Sequence, residues 1–346
     1  MKGQLVYLMN DSQGLLFDNH SLNKVELQKF SQHLKATKSF AERNKYVFNN
    51  RFLPRLFRMT SRCVEMLDKE RFVLSYRHKV IMLDWKIHSM STLRNCRVGF
   101  SNPLNFCSDD DHVYWGDYGN NPNREEVYIY RLNKNLNVDI VYSFPSGTIR
   151  HIHNIIFDKD NKRFWIFTGD NEVNAGIYIA NKDFLDIKPF RTGDQKYRAV
   201  VGFPYKDGLL YATDSVESNN YLYFINKEGL ERCIAPMPGS CIYGTELKDY
   251  YIFSTTVEPH EGGGFLNLFS YTLGGGIKDR YSHLLAVDKR NMNVKEILKL
   301  KKDWLPMKLF QYGSIHFPNG QGESNYLYYN PVACKGDGQT FFINLD

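Results

Sequence analysis

Short strand-forming runs, each closed by a small polar cluster, recur along this chain at intervals of about 40 to 53 residues, the spacing of four-stranded propeller blades. The runs end in LSYRH (Leu74–His78), YWGDYGNN (Tyr114–Asn121), IFTGDNE (Ile166–Glu172), YATDSVE (Tyr211–Glu217), FSTTVEP (Phe253–Pro259) and LYYNPVA (Leu327–Ala333). Each is preceded by an entry strand and a turn such as DKDNKR or YKDG. Each is followed by a further strand, among them EEVYIYRL, AGIYIANK, NYLYFINK and SHLLAVDK. A lone hairpin of this kind cannot bury both faces, whereas stacked copies can. The pattern predicts an all-β chain, a β-propeller of six blades with four antiparallel strands each. Five or seven blades stay open because the first and last units are degenerate.

The first 60 residues have a different texture. QLVYLMN reads as one strand, available to complete the last blade. Leu27, Phe30 and Leu34 then follow a near-helical spacing behind a candidate N-cap, Ser21, with Leu22, Val25 and Phe40 as further apolar positions. The expected organisation is therefore an N-terminal strand with a short helical segment over 1–60 and the propeller over 61–346. One longer interval holds an insertion, about 258–282, in which two glycine triplets flank the apolar-aromatic FLNLFSYTL. It reads as a long blade loop, a lid or an oligomer contact.

Composition supports this class. Aromatic residues make up 15% of the chain, with 23 tyrosines and 24 phenylalanines, and charged residues make up 24%. That is rich in strand formers and unlike a disordered chain. The net charge of +6 is scattered, so no nucleic-acid partner is expected, while an anionic substrate is compatible. Cys63, Cys96, Cys107, Cys233, Cys241 and Cys334 form no CxxC pair, which argues against a zinc ribbon or a redox motif. The N-terminus lacks the apolar core of a signal peptide, and no run reaches the roughly 18 apolar residues of a membrane span. A cytoplasmic location with reduced thiols is expected. Neither a phosphate-binding glycine loop followed by Lys-Ser/Thr nor a Gly-x-Ser-x-Gly elbow occurs, and no cofactor is expected.

The polar ends carry the candidate chemistry. Arg150, His151 and His153 open the hairpin that closes at Asp170 and Glu172, and an antiparallel hairpin brings those two ends together. The histidines are read three ways: as hydrogen-bonded packing residues between blades, as substrate or acid–base groups, or as two ligands of a metal. His316 or Gln311 would then be the third ligand. Asp117, Asp170 and Asp214 occupy similar places in successive units, either closing turns or supplying a general acid, and Glu172, Glu246 and Glu258 extend that set. Arg198, before an apolar strand, suits a sugar carboxylate, and Tyr118, Tyr243 and Tyr312 suit sugar stacking or hydrogen bonding.

The stretches YWGDYGNNPNREEVYIYRL, GTIRHIHNIIFDKDNKRFWIFTGDNE, YRAVVGFPYKDGLLYATDS and YGTELKDYYIFSTTVEP resemble bacterial sialidase-like (Asp-box, BNR-type) propeller proteins, a group often encoded among surface-polysaccharide genes. The resemblance spans roughly residues 60–345. It implies a propeller with a glycan-related role, and for a true sialidase three arginines, an acid Asp and a Tyr–Glu pair. Arg150, Arg198 and either Arg62 or Arg77 are the matching arginines. The Asp-box itself has lost its Gly and Trp in YRLNKNLNVDIVYSF and YIANKDFLDIKPF. The expected function is action on an acidic surface or capsular glycan, as a glycoside hydrolase or a polysaccharide lyase. The alternative is a non-catalytic glycan-binding or scaffold propeller in polysaccharide assembly. The expected partner is an acidic oligosaccharide or polysaccharide, with oligomerisation through the 258–282 insertion.

Overall fold

The computed structural model describes residues 3–10, 12–18, 21–27, 35–41, 55–56, 63–263, 268–320 and 324–346. These form seven consecutive antiparallel meander sheets, so the expected count of six blades is corrected to seven. The sheets run over residues 4–41, 64–95, 107–144, 152–192, 199–237, 241–301 and 314–344, and are called blades one to seven. The first six have four strands and the seventh three. A two-stranded ribbon pairs Phe100–Ser101 with Tyr118–Gly119.

The extra blade is the one read as a helical extension. Residues 4–41 fold as four strands, including Ser21–Glu26 and Lys35–Ala41. Asn23, Val25 and Leu27 are buried while Glu26 is exposed, the two-residue alternation of a strand, so Leu27 at least does not open a helix. Phe30 and Leu34 lie outside the described residues. Gln4–Asn10 likewise begins its own sheet and does not serve as the fourth strand of the last one.

The chain divides into two compact units. One holds residues 1–60, 214–221 and 234–346. Here the first strand is tied to the seventh blade by a parallel bridge between Tyr7 and Asn319. Asn330 adds to the tie, accepting from Leu5 N at 3.1 Å and donating to Leu5 O at 2.7 Å. The insertion is anchored in this unit. Glu217 accepts from the backbone N–H of Glu261 (2.6 Å) and Gly275 (3.1 Å) and pairs with His260. A Cβ on Gly276 would lie 2.1 Å from Ser218 O, so this glycine serves close backbone approach. Residues 264–267, at the centre of the insertion, lie outside the described residues.

The other unit holds residues 61–213 and 222–233. In blade four, strands Ile152–Asp158 and Arg163–Thr168 form the hairpin expected from the sequence. Its turn is set by Asp158, which accepts from Asn161 N, Arg163 Nε and Trp165 Nε1 at 3.0–3.3 Å. Phe164, Trp165, Ile166 and Phe167 are fully buried, each burial stabilising by about 1.5–3 kcal/mol, so this strand is held on both faces. The outer strand Ile187–Thr192 is largely exposed. Blades three and four approach closely at Gly116, where a Cβ would lie 2.5 Å from Ile152 Cβ. That contact fixes the start of the hairpin that carries the histidines.

Candidate functional site: two histidines on one aspartate

A β-bulge shapes the start of the strand Ile152–Asp158. Ile152 pairs with Thr168 and Asn154 with Phe167, which leaves His153 as the extra residue. The inner strands of three other blades bulge at the same place, and their extra residues are Val6, Val200 and Ile242. Blade four alone of these four puts an imidazole there.

Both imidazoles are buried, at 3% exposure each, and both are pinned at Nδ1. His151 Nδ1 donates to Gly119 O at 2.6 Å, and His153 Nδ1 donates to Ala199 O at 3.0 Å. A carbonyl oxygen can only accept, so each Nδ1 carries its hydrogen and each neutral ring presents a bare lone pair at Nε2. The two Nε2 atoms are 3.0 Å apart. Asp170 Oδ1 lies 3.3 Å from one and 3.4 Å from the other.

The carboxylate is held from outside as well. Arg150 Nη1 reaches Asp170 Oδ2 at 3.2 Å, while its Nη2 donates to Asn120 Oδ1 at 2.7 Å. Arg198 Nη2 lies 3.8 Å from Oδ1, and its Nη1 donates to the Asp170 carbonyl at 2.7 Å, beside Gln195 Nε2 at 3.2 Å. Tyr118 leans on His151 with ring centroids 4.7 Å apart. Burial raises the Asp170 carboxyl, but hydrogen bonds from His151 and His153, which require a proton at Nε2, outweigh this and hold it well below the usual carboxylate range. Burial lowers His151, against the opposing pull of Asp170, so its neutral form is favoured. With neutral imidazoles, the two guanidiniums and one carboxylate leave the cluster with one positive charge.

His151, His153, Asp170, Arg150, Arg198 and Tyr118 thus converge. The other nominated residues have the following surroundings. Asp117 is buried and closes the third blade, accepting from Arg97 Nη1 (2.8 Å), Tyr128 N (3.1 Å) and Tyr130 OH (3.1 Å). Glu172 is exposed on the turn after Asp170. Arg77 is exposed and stacks on the Tyr76 ring at 5.0 Å, and Arg62 lies outside the described residues. Asp214, Glu246, Glu258, Tyr312 and His316 belong to the other unit. There Asp214 is buried, Glu246 pairs with Lys289 at 2.6 Å and Glu258 accepts from Thr256 Oγ1. His316 stacks on Tyr243 at 3.8 Å and lies 2.9 Å from Ser314 Oγ, and Tyr312 is half-buried. Within its unit, the third polar group beside the histidine pair is Asp170, which the sequence reading did not name as a ligand. Asn120, Gln195 and the carbonyls of Gly119 and Ala199 were not nominated from the sequence. Backbone acceptors leave no side-chain signal, and Asn120 and Gln195 lie in polar loops without a motif.

The six cysteines are all free. No helix among the described residues is long and apolar enough to cross a membrane.

Seven meander blades define the class of the protein as a β-propeller, and comparison with solved structures agrees. The chain matches an oligogalacturonate lyase in complex with manganese over 100% of its own length and 89% of that chain, at 9% identity and a TM-score of 0.56. It matches the WD40 β-propeller domain of Doa1 over 100% and 93%, at 10% identity and a TM-score of 0.58. An oligogalacturonate lyase from Vibrio parahaemolyticus matches over 88% and 80%, at 9% identity and a TM-score of 0.51. At these identities the likeness is one of fold. No family model matches the sequence, and no curated protein matches it.

Proposed function

We propose that this protein is a carbohydrate-active propeller that binds an acidic glycan at the Asp170 cluster and cleaves it by β-elimination. The observation that carries the reading is one ionised carboxylate set 3.3 and 3.4 Å from two buried imidazoles and flanked by Arg150 and Arg198. Asp170 Oδ2 and Asn120 Oδ1 receive two of the five N–H groups of Arg150, which leaves donors for a sugar carboxylate. Neutralising a uronate carboxylate acidifies the C–H beside it. Elimination removes that proton, forms a C=C bond and expels the glycosidic oxygen, which takes up a proton. Tyr118, half-buried against His151, is the group assigned to proton transfer.

Hydrolysis of the sialidase type fits less well, because it asks for a protonated acid, and Asp170 is held ionised. That a propeller of similar fold is an oligogalacturonate lyase solved with manganese supports the class of substrate at the level of fold alone.

The test incubates the purified protein with a panel of uronate-containing oligosaccharides and follows ultraviolet absorbance and reducing ends together. Elimination gives both signals, and Arg150→Ala should weaken them. New reducing ends without absorbance would replace the lyase by a hydrolase. Binding without turnover would leave a glycan-binding propeller in its place, and neither binding nor turnover across the panel would remove the glycan reading.

A further inference from the structure

We propose that His151 Nε2, His153 Nε2 and Asp170 Oδ1 form a binding site for one divalent first-row transition-metal ion. The inference goes beyond the glycan reading and does not depend on it.

Gly119 O and Ala199 O each take an Nδ1 hydrogen, so both Nε2 lone pairs point at one another and at a carboxylate oxygen. With both rings neutral, three electron-pair donors at 3.0, 3.3 and 3.4 Å repel one another. Burial of both rings removes the water that would otherwise relieve them. A cation among the three atoms resolves the conflict.

A proton is the smallest candidate, but it would bridge only the two Nε2 atoms 3.0 Å apart and leave Oδ1, at 3.3 and 3.4 Å, outside. Those edges give a circumradius of about 1.9 Å, so an ion about 2.0–2.1 Å from each donor would sit about 0.8 Å out of their plane. All three ligands would then lie on one side of the ion, with its remaining positions open. Two imidazoles and one carboxylate with open positions is the donor set of catalytic transition-metal sites. The surroundings match as well. A ligating histidine donates its other ring N–H to a carbonyl, and a ligating carboxylate is held by its second oxygen. Here Arg150 holds Oδ2 while Oδ1 faces the imidazoles.

The two guanidiniums oppose a bare cation. With neutral imidazoles they raise the loaded cluster to three net positive charges, so an anion is needed to complete the coordination. The site would therefore take up metal and anion together.

The experiment uses the full chain stripped with chelator and then titrated with Co²⁺, Zn²⁺ and Mn²⁺, with and without acetate as the anion probe. Calorimetry and the visible absorption of Co²⁺ are read in parallel. One ion per chain is expected, with cobalt bands of nitrogen–oxygen ligation, and the melting temperature should rise with metal and fall back with chelator. Changing a group behind a ligand typically costs 10–100-fold in affinity, so Asp170→Asn and His151→Gln should each cost at least about 100-fold. Absence of stoichiometric binding by any of the three ions, or unchanged affinity in both variants, overturns the proposal. If neither variant folds, chelator-reversible stabilisation of the unaltered chain decides, and its absence overturns the site. Metal binding with neither glycan binding nor turnover leaves this site standing and removes the glycan reading. Turnover by metal-free protein that binds none of the three ions does the reverse.

Discussion

His153→Val substitutes the residue type that blade five carries at its own bulge, so the backbone should accept it. The exchange removes the 3.0 Å bond from Nδ1 to Ala199 O and leaves that buried carbonyl without its side-chain donor, a loss of about 1–3 kcal/mol. It also removes one of three converging lone pairs, which returns part of the loss. The expected net destabilisation in chelator is about 1–2 kcal/mol, or about 1–3 °C in melting temperature for a chain of 346 residues. With metal at 100 times its dissociation constant, the unaltered protein gains about 2.7 kcal/mol more and the variant gains nothing comparable. The gap between the two melting curves should therefore roughly double or more when metal is added. Differential scanning calorimetry in chelator and in Zn²⁺ measures both halves. A variant at least as stable as the parent in chelator would refute the carbonyl clamp. A gap of equal size in both buffers would refute the role of His153 as a ligand.

Three further outcomes are expected. Arg150→Ala should raise KM for an acidic oligosaccharide by about 10-fold or more while leaving the fold intact, since a charge-assisted bond is worth about 1.5–3 kcal/mol; equal KM in parent and variant counts against the anion anchor. Gly276→Ala forces a methyl to within 2.1 Å of Ser218 O and should cost about 1–3 kcal/mol, with faster hydrogen exchange around Glu258–Ser282; an unchanged melting temperature contradicts the close-approach argument. Asp109 is raised by burial but held below its ordinary value by the backbone N–H groups of Asp111 and His112 and the Tyr114 phenol. Its contribution to stability is therefore complete above its unfolded pKa of about 4 and lost as pH falls through the lower folded value. Asp109→Ala should accordingly lower the melting temperature at pH 7, by an amount that shrinks below about pH 4, and a constant difference across that range would be the contrary result.

Much of this protein is local and so was legible in the chain. The blade hairpins, the Asp158 turn and the buried Phe164–Phe167 strand follow from two-residue alternation and turn chemistry, which act between near neighbours. The meeting of Arg150–His153 with Asp170 follows from antiparallel pairing alone. The blade count was lost where Leu27, Phe30 and Leu34 imitate a helical stripe, because propensity over so short a window yields to the sheet that residues 4–41 complete. The equal-looking aspartates Asp117, Asp170 and Asp214 could not be told apart either. Only packing gives Asp117 to Arg97 and Tyr130 and gives Asp170 to the histidines.

The sequence by itself determined that the chain is built of β blades and that one blade carries an Arg-His-x-His facing an Asp. The tertiary structure decided what those groups are. The bulge that turns His153 inward and the carbonyls of Gly119 and Ala199 that fix both ring tautomers come from pairing and from residues 32 and 46 positions away. Arg198, 28 positions from Asp170, closes the same cluster. Tautomer, charge and aim are properties of contacts between blades, and no local pattern encodes them.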